Sequence, residues 1–253
     1  MKRKYSWKPD IPDIRDFTYK VSRPLKVSEL PPKVDLRDIF PDVYDQGELG
    51  SCTGNAIAGA IQYEQLKKQD PHTFMPSRLF IYYNERVMEG TVNQDAGAMI
   101  RDGMKSVNSQ GVCKEDTWPY NPNRFDKKPV DTAYTEALNY TTKVYARVGQ
   151  DLNSIKACLA AGDPMVFGFT VYQSFETEEV ANTGEMPMPS ADDSCLGGHA
   201  VLCVGYDNEI QRFIIRNSWG SSWGLNGYFT MPYEYLTNPK LAADLWTIKD
   251  VNI

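Results

Sequence analysis

Apolar positions recur at helical spacing over residues 51 to about 68, at Ala56, Ile57, Ala60, Ile61 and Leu66, which predicts an amphipathic helix. Asp70-Pro71 ends it, and Met75-Pro76-Ser77 opens the next segment. Residues 77–89 and 97–109 also read as helices, the second stopping near Gly111, and Tyr120-Asn121-Pro122-Asn123 reads as a loop. The pattern changes after about residue 140. A helix over 151–161 has Asp151 as its N-cap and Gly162 as its stop. Continuous apolar runs at 165–171, 200–206, 213–216 and 228–231 then predict strands. A helix-rich first half and a strand-rich second half imply two lobes with a cleft between them. Ahead of both, residues 1 to about 34 are broken by Pro9, Pro12, Pro24, Pro31 and Pro32. They carry Tyr5, Trp7, Phe17 and Tyr19 and so read as an extended arm laid on the body.

Composition narrows this picture only slightly. With 253 residues, 42% hydrophobic and 24% charged, the chain can bury a large core. A net charge of -6 argues against nucleic acid as a partner. No apolar run reaches membrane-spanning length, so no membrane association is expected. The basic start, Met1 to Trp7, lacks the apolar stretch of a signal peptide. Either the protein is not exported by that route or an export signal lies outside this sequence. Five cysteines (52, 113, 158, 195 and 203) leave at least one unpaired and form no C-x-x-C. They read as one special cysteine with mostly buried thiols and room for one bridge, which favours a reducing compartment or a protein that does not rely on disulfides.

The candidate chemistry lies in three short stretches. Gln46-Gly47-Glu48-Leu49-Gly50-Ser51-Cys52 runs through two glycines into the first helix. A cysteine there sits at the positive end of the helix dipole, which favours thiolate. It reads either as a nucleophile or as a small buried residue at a helix start. Gln46 favours the former, because its amide and the Cys52 N–H can form an oxyanion hole. Gly197-Gly198-His199-Ala200-Val201 places a histidine at the entrance of an apolar strand, as a base or as a satisfied core residue. The only other histidine is His72, in a polar loop. Ile215-Arg216-Asn217-Ser218-Trp219-Gly220 offers an asparagine at a strand end, as a turn residue or as the acceptor that orients an imidazole. Trp219 is placed to lie over that hydrogen bond and exclude water. Cys195-x3-His199-x3-Cys203 has three possible metal ligands but no second cluster, so no metal or organic cofactor is implied, and Cys203 reads as core.

These stretches, together with Lys33-Val34-Asp35-Leu36-Arg37, Trp118-Pro119-Tyr120 and Trp223-Gly224-x2-Gly227-Tyr228, resemble the papain-like cysteine peptidases over roughly residues 33–235. The resemblance implies an α+β papain-like fold with a helical left lobe and an antiparallel, β-barrel-like right lobe. Its boundaries would be an arm over 1–32 and a peptidase domain over 33–253, divided into about 38–145 and about 146–253 plus 33–37. It implies Cys52 as nucleophile, His199 as general base and then acid, Asn217 as orienter and Gln46 as oxyanion donor. Gly97 and the Gly198 carbonyl would bind the backbone of a peptide or protein substrate. Ala98, Met99, Gly168 and Gly198 would line the main specificity pocket.

The expected activity is that of a monomeric endopeptidase, since no loop holds the histidine pair of dipeptide-releasing relatives. An acyltransferase or amidase on the same residues, or an inactive binding module, is the alternative. Two departures stand out. Thr53 replaces the tryptophan usual after the nucleophile, and Leu49 replaces a usual half-cystine. The arm is shorter than the family's prosegment. Around Trp7-Lys8-Pro9-Asp10-x-Pro12-Asp13 it resembles the short leader of atypical microbial members, acting either as an intramolecular inhibitory strap across the cleft or as a belt on the back of the body.

Overall fold

The computed structural model describes residues 3–20, 29–69 and 71–252. Pro24 and Asp70, both used above as punctuation, lie outside the described residues. In chain order the elements are β1 (Trp7–Lys8), β2 (Lys33–Asp35), α1 (Cys52–Lys67), α2 (Arg78–Met88), β3 (Ala98–Met99), α3 (Ile100–Ser109), α4 (Asp131–Ala137), β4 (Thr142–Arg147) and α5 (Leu152–Ala160). They continue as β5 (Met165–Tyr172), α6 (Glu178–Thr183), β6 (Cys195–Asp207), β7 (Arg212–Arg216), β8 (Tyr228–Pro232), α7 (Tyr233–Thr237) and β9 (Ala242–Val251).

Seven of the described strands form one antiparallel sheet in the order β4-β9-β5-β6-β7-β8, with β2 added to β6. The sheet is open and does not close into a barrel, with β4 and β8 at its ends. Alternation along β6 explains its unbroken apolar run. Ala200, Leu202 and Val204 pack with the helices, whereas Val201 and Cys203 face the opposite core with Phe167, Phe169 and Phe213. A strand covered on both faces has no polar side to present.

Helix α1 lies between the sheet and α2 and is buried on nearly every side. Small residues permit this. A Cβ at Gly54 would lie 2.7 Å from the Arg78 carbonyl, and one at Gly59 would lie 2.9 Å from Leu202. Helix α2 begins where Ser77 Oγ accepts from the Phe80 N–H, and α5 begins where Asp151 caps Ser154. Helix α3 starts at Ile100, later than the periodicity predicts, because Gly97 takes φ +69° and Ala98–Met99 are drawn into pairing with β1. Strand β6 starts at Cys195, so His199 lies inside it, opposite Phe169, and not at its entrance. Strands β4 and β9 and helices α4, α6 and α7 escape the pattern reading. All five cysteines are free thiols, four of them buried and Cys195 exposed.

The arm lies both across the groove and along the back of the body. Residues 3–8 run through the groove between α1 and β6, and β1 pairs in parallel with β3. Residues 10–19 then wrap the outer side of α3, β4 and β9. Asp10 accepts from the Arg101 N–H at 3.0 Å and from Trp246 Nε1 at 2.8 Å, and its own N–H donates to Asp244. Asp16 holds Arg101 and Arg147, and the Tyr19 hydroxyl donates to Asp163.

Candidate active site

The loop from Gln46 to Cys52 is braced at both ends. The Tyr120 hydroxyl, from the Trp118-Pro119-Tyr120 stretch, donates to the Gln46 carbonyl at 2.8 Å and pairs with Ser51 Oγ at 2.5 Å. The Asp95 carboxylate accepts from the Gly50 N–H and from the Tyr82 hydroxyl. The chain therefore enters α1 in one conformation, with Cys52 as its first helical residue and fully buried.

Across the groove, His199 projects from β6. Its Nε2 lies 2.8 Å from Asn217 Oδ1, and that oxygen also accepts from the Ser218 N–H at 2.9 Å. An amide oxygen only accepts, so Nε2 carries the proton and Nδ1 keeps its lone pair. Nδ1 has no hydrogen-bond partner among the described residues. Trp219 stacks on the imidazole at 5.0 Å and 24°, and Phe169 meets its edge. The ring is thus held in one plane, with the hydrogen bond to Asn217 shielded. Backbone N–H groups of Ala200 and Thr53 face the Cys52 sulfur and favour thiolate, which places the sulfur beside the residue that follows His199.

Gln46 is anchored differently from the simple expectation. Its Oε1 accepts from Ser218 Oγ at 2.6 Å, and its Nε2 donates one hydrogen to the Leu49 carbonyl at 3.0 Å. A second amide hydrogen is left for a substrate oxygen. Ser218 was not singled out by the sequence, yet it orients both Gln46 and Asn217. Only its place next to Asn217 could have pointed to it.

The arm fills the groove. Arg3 lies over the Trp219 ring at 5.1 Å and donates to Asp45 and the Gly47 carbonyl. Tyr5 meets the edge of His199. Ser6 Oγ donates to the Gly50 carbonyl at 2.7 Å and sits 3.9 Å from the Cys52 sulfur. Trp7 is 8% exposed and lies against Gly168, Gly198 and Ala98, three of the residues expected to line the specificity pocket. A Cβ at Gly168 would lie 1.9 Å from its ring, and one at Gly198 would lie 2.6 Å from it. Ala98 pairs with Trp7, and Met99 pairs with Lys8, which binds Glu89. Gly97 lets the Ser6 carbonyl approach so closely that a Cβ there would sit 1.7 Å from it. Each of these glycines makes room for another backbone or ring.

Burial beneath the arm sets the electrostatics. Desolvation pushes the Cys52 thiol up to about 11, against smaller opposing contributions from the Ala200 N–H and the Ser6 hydroxyl. Desolvation also pulls His199 down to about 4, although its bond to Asn217 works the other way. With the arm docked, both groups are neutral at pH 7. His72 lies in an exposed turn, remote in role from this site. No group of three His, Cys, Asp or Glu residues suited to a metal ion occurs among the described residues.

A family model described as papain family cysteine protease matches residues 30–244. The crystal structure of xylellain, a cysteine protease from Xylella fastidiosa, is similar with a TM-score of 0.90 and 51% identity, covering 98% of each chain. An uncharacterized peptidase C1-like protein of Acanthamoeba polyphaga mimivirus is 43% identical over 98% of this chain and 88% of its own length. Pro-cathepsin H of Bos taurus is 26% identical over 90% of this chain and 67% of its own length. The sheet, the three packed helices and the order of the cysteine, histidine and asparagine stretches agree with that similarity, and the chain belongs to the papain family of cysteine proteases, which are hydrolases.

Proposed function

We propose that the chain is a latent cysteine endopeptidase whose own N-terminal arm inhibits it until displaced. The observation that carries this reading is the placement of Ser6 at the Cys52 sulfur and of Trp7 in the neighbouring pocket. In the open form the Cys52 proton passes to His199 Nδ1. The thiolate attacks the substrate carbonyl, and the second Gln46 amide hydrogen and the Cys52 N–H stabilise the oxyanion. His199 then protonates the leaving amine as the tetrahedral intermediate collapses to a thioester. Water, deprotonated by His199, cleaves the thioester and regenerates the thiol. Asn217 keeps the imidazole in the tautomer this sequence needs. We place the boundary between the two sides of the cleft just ahead of β4, a few residues before the expected 145 and 146, because the whole of β4 belongs to the sheet.

The occupant of the pocket also indicates the substrate. Trp7 fits between Gly168, Gly198 and Ala98, yet its Nε1 finds no hydrogen-bond partner among the described residues. The pocket therefore offers shape and apolar contact and nothing polar for the indole N–H, which favours a phenyl-sized apolar side chain two residues before the cleaved bond. Burying such a ring supplies roughly 1.5–3 kcal/mol. Internally quenched peptides blocked at both ends are expected to be cut, with kcat/KM at least about tenfold higher for phenylalanine than for glycine at that position. Cleavage confined to peptides with a free terminus would count against endopeptidase action. Formation of amide products with an added amine would point to acyl transfer.

The belt makes docking depend on pH. Burial, reinforced by Asp244, pushes the Asp10 carboxyl up to about 6 in the docked chain, although the Arg101 N–H, Trp246 and the Arg101 guanidinium oppose this. A released arm returns Asp10 to water and to its ordinary value of 3.8. The docked form therefore holds a proton that the released form has lost between these values. Docking is favoured at the acid end and weakens as pH rises toward about 6, then levels off. In the Cys52→Ala chain, hydrogen-exchange protection factors of residues 6–8 are expected to be higher at about pH 4.5 than at about pH 7.5. Asp10→Asn is expected to flatten that difference, and an equal slope in both chains would rule out Asp10 as its source.

A further inference from the structure

Thr53, the residue at which the chain departs from its family resemblance, is tied to a buried acid behind the nucleophile. Thr53 follows Cys52 on α1 and is fully buried, and its Oγ1 donates to Glu85 Oε2 at 2.6 Å. Glu85 lies on α2 with no exposed surface. Its other oxygen presses on Gly103 of α3, where a Cβ would lie 2.3 Å from Oε1 and 2.3 Å from Ile57 Cδ1. The missing side chain at Gly103 is thus what leaves space for the carboxyl group. Oε1 has no hydrogen-bond partner among the described residues.

Among the described residues no cation forms an ion pair with this acid. The neighbouring Arg86 donates to the carbonyls of Tyr82, Val92, Gln94 and Phe125. Glu89 is occupied by Lys8 and the Met99 N–H. The charged groups that act on Glu85 are Glu89 at the C-terminal cap of its own helix, Asp102 on α3 and Arg86, and α1 presents Thr53 and the Cys52 thiol. Desolvation, with Glu89 and Asp102 adding to it, pushes the carboxyl well above the usual range despite the Thr53 bond and Arg86. Glu85 itself pushes the Cys52 thiol up, so its bond to Thr53 serves the sulfur through the placement it fixes and not through its charge.

We propose that Glu85 is a positioning residue for Cys52. Its hydrogen bond to the Thr53 hydroxyl fixes the first turn of α1 and aims the Thr53 N–H at the sulfur. The role rests on reading Cys52 as the nucleophile. Packing alone would be served at least as well by an apolar pair of the same volume, since buried polar groups oppose folding unless fully paired. The pair stands directly behind the residue whose ionisation the reaction needs.

The test is the pH dependence of Cys52 alkylation by iodoacetamide in the full-length chain carrying Trp7→Ala, where the sulfur is reachable. Adding Thr53→Val keeps the shape and removes the hydroxyl. It is expected to raise the apparent thiol pKa by about one unit, the scale of one hydrogen bond to a charged group. Thr53→Ser is expected to restore the parent profile. Glu85→Gln, which still offers an acceptor, is expected to stay within about threefold of the parent rate, whereas Glu85→Ala, which loses both the acceptor and a group that pushes the thiol up, is expected to shift the profile in the same direction as Thr53→Val but by less. The double change Thr53→Val with Glu85→Ala is expected to be no worse than either alone. A folded Thr53→Val chain that titrates like the parent overturns the proposal, and Thr53→Ala carries the same test if the valine chain does not fold. If the parent fails to label at Cys52 at every pH, the nucleophile reading falls and this proposal falls with it.

Discussion

His199→Ala is expected to lower kcat/KM toward a doubly blocked peptide by about 10⁴-fold or more, on the scale seen when a general base paired with a nucleophile is removed. The size of the effect follows from how little could replace it. The chain has two histidines, and His72 stands in an exposed turn. Around the Cys52 sulfur the arm contributes a hydroxyl and the body contributes backbone N–H groups, which stabilise a thiolate but cannot take its proton at neutral pH. The Asn217, Ser218 and Trp219 contacts all serve to hold this one ring. Steady-state hydrolysis in a chain relieved of its arm by Trp7→Ala is the measurement. A residual activity above a few percent would mean that His199 is not the base.

Trp7→Ala in the otherwise intact chain is expected to speed labelling of Cys52 by a peptidyl vinyl sulfone roughly 10- to 100-fold. Truncating a buried tryptophan costs about 3–5 kcal/mol in a packed core, which would shift docking by more than that factor. The rest of the arm moderates the gain. Asp10, Asp16 and Tyr19 remain bound to Arg101, Arg147, Trp246 and Asp163, so residues 3–8 stay tethered beside the groove at high effective concentration. Once the groove opens, water reaches Cys52 and His199, and the desolvation that keeps both neutral is relieved. Unchanged labelling by a folded Trp7→Ala chain would leave residues 3–8 as a structural cover and remove the case for latency.

Much of this site was legible in the sequence because its parts are local. The glycine turn into a helix before Cys52, the apolar run around His199 and the strand end at Asn217 are each set by neighbouring residues. The two glycines before His199 also announce close approach by their missing side chains, whereas the places of Gly97 and Gly168 came from the family resemblance alone. Harder to read was anything decided by a distant partner. Ala98 and Met99 leave the helical pattern because β1 pairs with them from some ninety positions away. Strand β4 alternates poorly and is held by β9, about a hundred positions further along the chain. The antiparallel, barrel-like lobe expected from resemblance is present as a sheet that stays open, since closure depends on whether β4 and β8 meet, which no local pattern specifies.

By itself the sequence determined the order of elements that carry the cysteine, histidine and asparagine, the small residues that let α1 sink between sheet and helices, and the aromatic content of the arm. Hydrophobic period, turn residues and helix-start chemistry act over a few residues, so they are written where they act. Only the tertiary structure decided that Trp7 lies against Gly168 and Gly198, that Ser218 serves both Gln46 and Asn217, and that Glu85 reaches Thr53 through the gap at Gly103. The physical reason is that desolvation and shape fit belong to pairs of surfaces. A tryptophan in an arm and two glycines in separate strands have no shared meaning until the fold closes water out between them.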